Sequence, residues 1–260
     1  MKKLIILLTI LVISCATTGP GGKKSLILIP TSVEVDIGKQ VVQEVESTEK
    51  VLNIPDVQKY VNKVGQKIVK VCDRRDIKYT FKVLDSEEIN AFACPGGFIY
   101  IYSGLLKVMD NEAQLAAVLG HEVGHVVARH SIQRLQFVYG YSILMEFALS
   151  DKLSSTAEQM VDAAAGLTLQ GYGRENEYEA DDYGILYEKK AGYNPKGMIQ
   201  LFEKFKQWEG RPPTFFEKLL ASHPPAQDRI NNGNKQIQKI GGTTLPYYTD
   251  EFAAIKARLP

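Results

Sequence analysis

The 260-residue chain carries 31 basic and 30 acidic residues, a formal net charge of +1, and 45% of it is hydrophobic. Balanced charge excludes a nucleic-acid-binding footprint, so no nucleic-acid partner is expected. Length and apolar content suffice for one large domain with a good core, and the chain shows neither internal repeats nor low-complexity tracts.

At the N-terminus Lys2 and Lys3 precede an apolar run over residues 4–13. That run is too short to span a bilayer as one helix and has signal-peptide proportions. It ends in Val12-Ile13-Ser14-Cys15, which looks like a bacterial lipobox with Cys15 as the lipidated first residue after cleavage; a transmembrane anchor or plain secretion is the competing reading. One modified cysteine with two or more acyl chains is enough for stable membrane anchoring. Ala16 in place of an aspartate favours the outer membrane by the usual sorting pattern. The expected organisation is a signal peptide over 1–14, a lipidated cysteine and flexible tether over 15–30, and one domain over 31–260.

Within that domain the pattern is α+β and mainly helical. Residues 36–46 and 55–71 read as amphipathic helices, the second with Val57, Tyr60, Val61, Val64, Ile68 and Val71 on one stripe. Residues 79–84 alternate as a strand, and 91–93 with 97–102 supply a hairpin or a bent pair. Three helices follow, over 111–137, about 141–149 and about 156–169. Another runs from about 174 to 190 and stops before Gly192, with Pro195 beyond. Residues 195–208 and 224–240 are the last main helices, and 247–259 forms a short terminal helix or packs loosely.

The chemistry lies in His121-Glu122-Val123-Gly124-His125. Four residues advance a helix by slightly more than one turn, so both imidazoles leave one face and meet one metal ion. Glu122, beside the first ring, is placed to take a proton from the hydrolytic water, as in zinc hydrolases with this spacing. Gly120 and Gly124 each cost about 1 kcal/mol against Ala in a helix; their use is close approach of a neighbouring element. His130 lies nine residues past His121 and is expected to point elsewhere. A catalytic zinc needs a third protein ligand and an open position. Glu177 and Asp181, one helical turn apart in Arg174-Glu175-Asn176-Glu177-Tyr178-Glu179-Ala180-Asp181, supply it: Glu177 as ligand, Asp181 as acceptor of the outer N–H of a ligand histidine. Glu175 and Glu179 are read as solvated. Cys72 and Cys94 lack paired metal-ligand spacing; they form a disulfide or are two buried thiols that never meet.

The pair H-E-x-x-H and E-x-x-x-D resembles the gluzincin metallopeptidase family numbered forty-eight, the HtpX, Oma and CAAX-protease type. Two further blocks match it: Asn90-Ala91-Phe92-Ala93-Cys94-Pro95-Gly96-Gly97 upstream and Ser222-His223-Pro224-Pro225-Ala226-Gln227-Asp228-Arg229-Ile230 downstream. The resemblance runs from about residue 36 to 230, and it is nearest to the soluble periplasmic BepA- and LoiP-like lipoproteins. It implies a zincin-type fold with one Zn2+ per chain, and a small sheet whose edge strand at Asn90, Ala91, Phe92 and Ala93 borders the active site and binds substrate. His223 is then a donor to the tetrahedral intermediate, a fourth ligand that closes the site, or an ordinary histidine. Arg229 places positive charge near the oxyanion, or pairs with Asp181 or Glu177.

The resulting expectation is a zinc-dependent metalloendopeptidase of the bacterial cell envelope, lipid-anchored and facing the periplasm. Its substrates are misfolded or unassembled envelope proteins. The alternative, from another class, is a chaperone or assembly factor that works with outer-membrane assembly machinery and keeps its zinc site mostly closed.

Overall fold

The computed structural model describes residues 15–17, 24–149, 159–161, 163–164, 166, 171–208, 219 and 226–260. The apolar run over 4–13, most of the helix expected over 156–169, and His223 lie outside them. Strands β1 (Cys15–Thr17) and β2 (Lys24–Leu26) pair antiparallel, so part of the segment read as tether is paired. Ile27 and Ile29, at 5% and 1% exposure, already belong to a core cluster.

Helix α1 (Thr31–Thr48) is followed by α2 (Pro55–Val69). Proline at the first position of α2 costs no hydrogen bond there, and Val57, Val61, Val64 and Ile68 bury one stripe. A three-stranded sheet follows, with β3 (Thr80–Leu84), β4 (Ala91–Cys94) and β5 (Phe98–Tyr102) in the order β3-β5-β4. Strand β5 runs parallel to β3 and antiparallel to β4, with Ala91 opposite Ile101 and Cys94 opposite Phe98. The hairpin turns at Gly96 and Gly97, both at positive φ (79° and 92°), where a side chain would be strained.

The sheet separates two core clusters, and the two-residue period of β5 shows it. Ile99 and Ile101 face α2 and the later helices, while Tyr100 and Tyr102 face α1 and the N-terminal segment. Cys72 belongs to the first cluster and Cys94 to the second. Of the two alternatives left open for these cysteines, the fold has two buried thiols and no bridge, and the Cys72 thiol donates to the Arg74 carbonyl at 3.1 Å.

After the short α3 (Ser103–Val108), helix α4 (Glu112–Ala128) is buried along almost its whole length. Asn111 caps it, accepting from the Gln114 amide at 3.0 Å. The helix expected over 111–137 is broken at Arg129, which adopts φ 58° in the left-handed region, and α5 (His130–Leu149) starts afresh. Nothing about an arginine announces that conformation. It is held by tertiary bonds, from Arg129 Nη2 to Glu34 Oε2 (2.7 Å) and to the Ile29 carbonyl (2.9 Å). Residues 141–149 continue α5 rather than forming a helix of their own.

Helix α6 (Arg174–Lys190) has the expected bounds and packs along α4. A Cβ added at Gly120 would stand 3.1 Å from the Gly184 Cα, and one at Gly124 would stand 2.9 Å from the Tyr183 Cβ and 3.0 Å from the Ala180 carbonyl oxygen. The two helices thus meet backbone to backbone, the use expected of those glycines. Helices α7 (Lys196–Trp208), α8 (Ala226–Ile240) and α9 (Thr249–Lys256) are the last among the described residues, and α9 anchors through Phe252, 1% exposed. Among the described residues no helix is long and apolar enough to cross a membrane.

Two expectations test this packing. Overfilling a tight core costs about 1–3 kcal/mol, and at residue 124 the obstacles are the Tyr183 Cβ and the Ala180 backbone, neither of which can swing aside, so Gly124→Ala should lower Tm despite the ~1 kcal/mol gained in helix propensity. A thermal melt at or above the parent's would show that the crossing has room. Glu188 on α6 is fully buried beside Gly197; burial outweighs the stabilising Met198 amide and holds its carboxyl well above the usual range. A raised folded-state value means stability that is present below the unfolded value and lost as pH rises through the folded one. Urea melts of Glu188→Gln should therefore gain on the parent from pH 5 to pH 8, and a pH-independent difference would contradict this.

Candidate metal centre

Helix α4 presents His121 and His125 to Glu177 on α6, all three at 5% exposure or less. His121 Nε2 and His125 Nε2 lie 3.0 Å apart, and they are 3.5 and 3.4 Å from the two oxygens of Glu177. Tetrahedral bonds of about 2.0–2.1 Å place ligand atoms about 3.3 Å from one another, so this triangle has the dimensions of a three-ligand zinc face. These residues are the group, among those described, whose donor atoms converge within 4.8 Å.

The outer ring nitrogens explain why the inner ones are donors. His121 Nδ1 lies 2.9 Å from Asp181 Oδ1, so its proton points there and Nε2 carries the lone pair. Asp181 is in turn gripped by Arg229, Nε to Oδ2 at 2.8 Å and Nη2 to Oδ1 at 2.6 Å. The guanidinium also lies 4.3 Å from the centre of the Phe202 ring and 3.7 Å from Glu177 Oε2. Of the alternatives open for Arg229, the geometry carries the pair with Asp181: two edges of the fork are spent on that carboxylate, and the residue acts from behind His121.

His125 is supported differently. Its Nδ1 lies 2.8 Å from His130 Nδ1, and the far nitrogen of His130 faces Glu179 Oε2 at 3.5 Å. Tyr172 stacks on the His125 ring at 4.3 Å and exchanges a hydrogen bond of 2.8 Å with Ser131. His130 therefore does not point elsewhere, and Glu179, with an 18% exposed side chain, is not a solvated residue. Both were missed because a continuous helix carries residue 130 away from residue 125; only the break at Arg129 turns it back. Glu175 is exposed as expected.

The charges follow from these contacts. Burial opposes ionisation of His121, but Asp181 and Glu177 outweigh it and push its value up to about 9. Burial dominates at His125, pushed down to about 3 against the pull of Glu177. For Asp181 burial is overcome by Arg229 and His121, which hold it below the usual carboxylate range. Arg229, opposed by burial, is raised by Asp181 and Glu177.

Glu122, 3% exposed, lines an apolar cleft with His121, Arg229, Ala91, Val118 and Phe202. Ala91 thus brings the edge strand β4 to the site. Phe92 does not face it: the strand period turns its ring into the other cluster, stacked on Tyr100 at 5.2 Å. Ala93 shares the Ala91 face, and Asn90 is buried, its Oδ1 accepting from the Ala91 amide at 2.9 Å.

The model of peptidase family M48 matches residues 55–236, from α2 through most of α8. Beta-barrel assembly-enhancing protease of Escherichia coli (strain K12) is 28% identical over 237 residues, 86% of this chain and 48% of that protein. Mitochondrial metalloendopeptidase OMA1 of Schizosaccharomyces pombe is 32% identical over 174 residues, 66% of this chain and 50% of its own length. Metalloprotease YcaL of Escherichia coli (strain K12) is 32% identical over 166 residues, 60% of this chain and 61% of its own. The chain spans about half the length of the first of these relatives. Because the family match runs through both helices that carry the ligand triangle, the chain belongs to peptidase family M48, a family of metallopeptidases.

Proposed function

We propose that the protein is a zinc-dependent metalloendopeptidase that cleaves misfolded or unassembled proteins of the bacterial cell envelope. The observation that carries the reading is the ligand triangle of His121, His125 and Glu177 with Glu122 buried on the same helix beside it. A site built only to hold a metal has no use for that fourth group. The buried imidazole and carboxylate donors suit zinc, which when bound supplies a Lewis acid at this point.

The chain's own residues do the rest. Glu122 takes the proton of the attacking water on its carboxylate and passes it to the leaving amine. Asp181, held by Arg229, keeps the His121 proton on Nδ1 and so fixes the ring's orientation. Strand β4, at the edge of the sheet among the described residues, receives an extended peptide as an added strand, with Ala91 beside Glu122 in the cleft. His223, outside the described residues, is assigned to the oxyanion or to a fourth ligand position.

The envelope setting rests on the lipobox-like Cys15 and on the assembly-enhancing protease among the relatives. Lipid anchoring at Cys15, on the outer membrane and facing the periplasm, would place the domain beside unassembled substrates. That relative's printed name also favours a second reading, in which the protein assists assembly and keeps its metal closed by His223.

Zinc content and casein cleavage, measured together, separate these. Glu122→Gln should retain about one zinc per chain while cleavage falls about 10²–10⁴-fold, the usual contribution of a general base; undiminished cleavage would remove Glu122 from that role. A gain in cleavage by His223→Ala would support the closed site, and a loss would support the oxyanion donor.

A further inference from the structure

The histidine pair His125–His130 is a feature that the proposed reaction does not use. His130 is fully buried, and three elements meet around it. From α4 comes the His125 ring, from α6 the Glu179 carboxylate, and from the segment before α6 the Tyr172 ring, whose centre is 5.7 Å away. An outer nitrogen of a metal-ligating histidine usually donates to a carboxylate, a backbone carbonyl or water. His121 follows that rule through Asp181. His125 instead meets a second imidazole, nitrogen to nitrogen, at 2.8 Å.

Proton bookkeeping fixes the roles. A neutral imidazole that ligates through Nε2 carries its proton on Nδ1. The His125 proton therefore lies in the 2.8 Å contact, and the His130 Nδ1 accepts it. Neutral His130 then has its own proton on Nε2, the nitrogen that faces Glu179 Oε2 at 3.5 Å. We infer that His130 is a positioning residue for the metal ligand His125, fixing its tautomer and ring plane, with the nearby Glu179 carboxylate favouring the Nε2–H tautomer of His130 electrostatically. The inference rests on the reading of His121, His125 and Glu177 as the metal site.

The backbone is shaped for this contact. Five residues along a straight helix would turn residue 130 by roughly 140° from residue 125. The left-handed Arg129 cancels that turn, and Arg129 is held by Glu34 and the Ile29 carbonyl. Tyr172, stacked on the face of the His125 ring, limits the other direction in which that ring could swing.

Zinc affinity of the full chain, by competition with a chromophoric chelator, tests the role without reference to cleavage, and the visible spectrum of the Co2+-loaded protein reports ligand geometry. His130→Phe fills the space without an acceptor and should weaken zinc binding about 10–100-fold, the usual cost of losing such a support, with a shifted Co2+ spectrum. His130→Asn, whose amide oxygen still accepts, should recover part of the loss. Glu179→Gln should weaken binding in the same direction by less. A folded His130→Phe with the parent's affinity and spectrum overturns the inference, as does an Asn variant no better than Phe. Should the Phe variant not fold, parent-like affinity in Glu179→Gln overturns it equally. A parent protein that takes up no zinc sinks the metal reading itself, whereas a zinc-loaded parent beside an unchanged Phe variant sinks only the role of His130.

Discussion

The site depends on the distance between two helices. Gly120 on α4 meets the Gly184 backbone on α6, and Gly124 meets the Ala180 backbone and the Tyr183 Cβ. A Glu side chain is short, and Glu177 must reach two imidazoles whose nitrogens are only 3.0 Å apart. Methyl groups at the crossing would drive α6 outward by an appreciable part of a metal–ligand bond. Glycine is a poor helix former, so its cost in α4 and α6 is offset only because the crossing is buried on both sides and the packing it permits is dense. The same closeness sets Asp181 against His121 one turn later. A single backbone approach therefore fixes a ligand and the residue that orients another.

A second constraint acts at the far end of α4. Glu34 accepts both terminal nitrogens of Arg74 at 2.9 Å and one of Arg129 at 2.7 Å, and Arg74 also donates to the Val126 carbonyl at 3.0 Å. Buried ion pairs of this kind are weak evidence of stability, because desolvation consumes much of the attraction. Their effect here is geometric. They satisfy a carbonyl at the C-terminus of the helix and hold Arg129 in a conformation it would not otherwise adopt. They also tie α1 to the metal helix, so the order of the N-terminal segment and the placement of His130 are one problem.

What was legible in the sequence follows from this division. Helix α6 was readable because its stop signals are local, at Gly192 and Pro195, and the ligand pairs were readable because helical spacing alone puts them on one face. The sheet and its glycine turn were readable from two-residue alternation and from residues that need positive φ. The break at Arg129 was not, since its cause is a carboxylate 95 residues earlier in the chain. The same holds for Cys72 and Cys94, which the sheet places in different clusters, and for Phe92, which strand parity turns from the site while leaving its neighbour Ala91 in it. Residue types reported the chemistry; distances across the sheet, and the partners of buried arginines, needed the fold.

The two proposed ligand histidines end up in unequal surroundings, and charge shows how the centre suits a cation. Among the described residues, Glu122, Glu177 and Asp181 are buried together with the guanidinium of Arg229. Carboxylates gathered out of water in this way are a state that burial makes expensive. Without an ion the protein relieves part of it by holding a proton on His121, whose value is pushed up to about 9 by Asp181 and Glu177. It has no such recourse at His125, where burial and the neighbouring imidazoles push the other way. A divalent ion held by His121, His125 and Glu177 would bring positive charge to the same carboxylates and take the place of that proton, which would couple metal loading to the stability of the α4–α6 crossing.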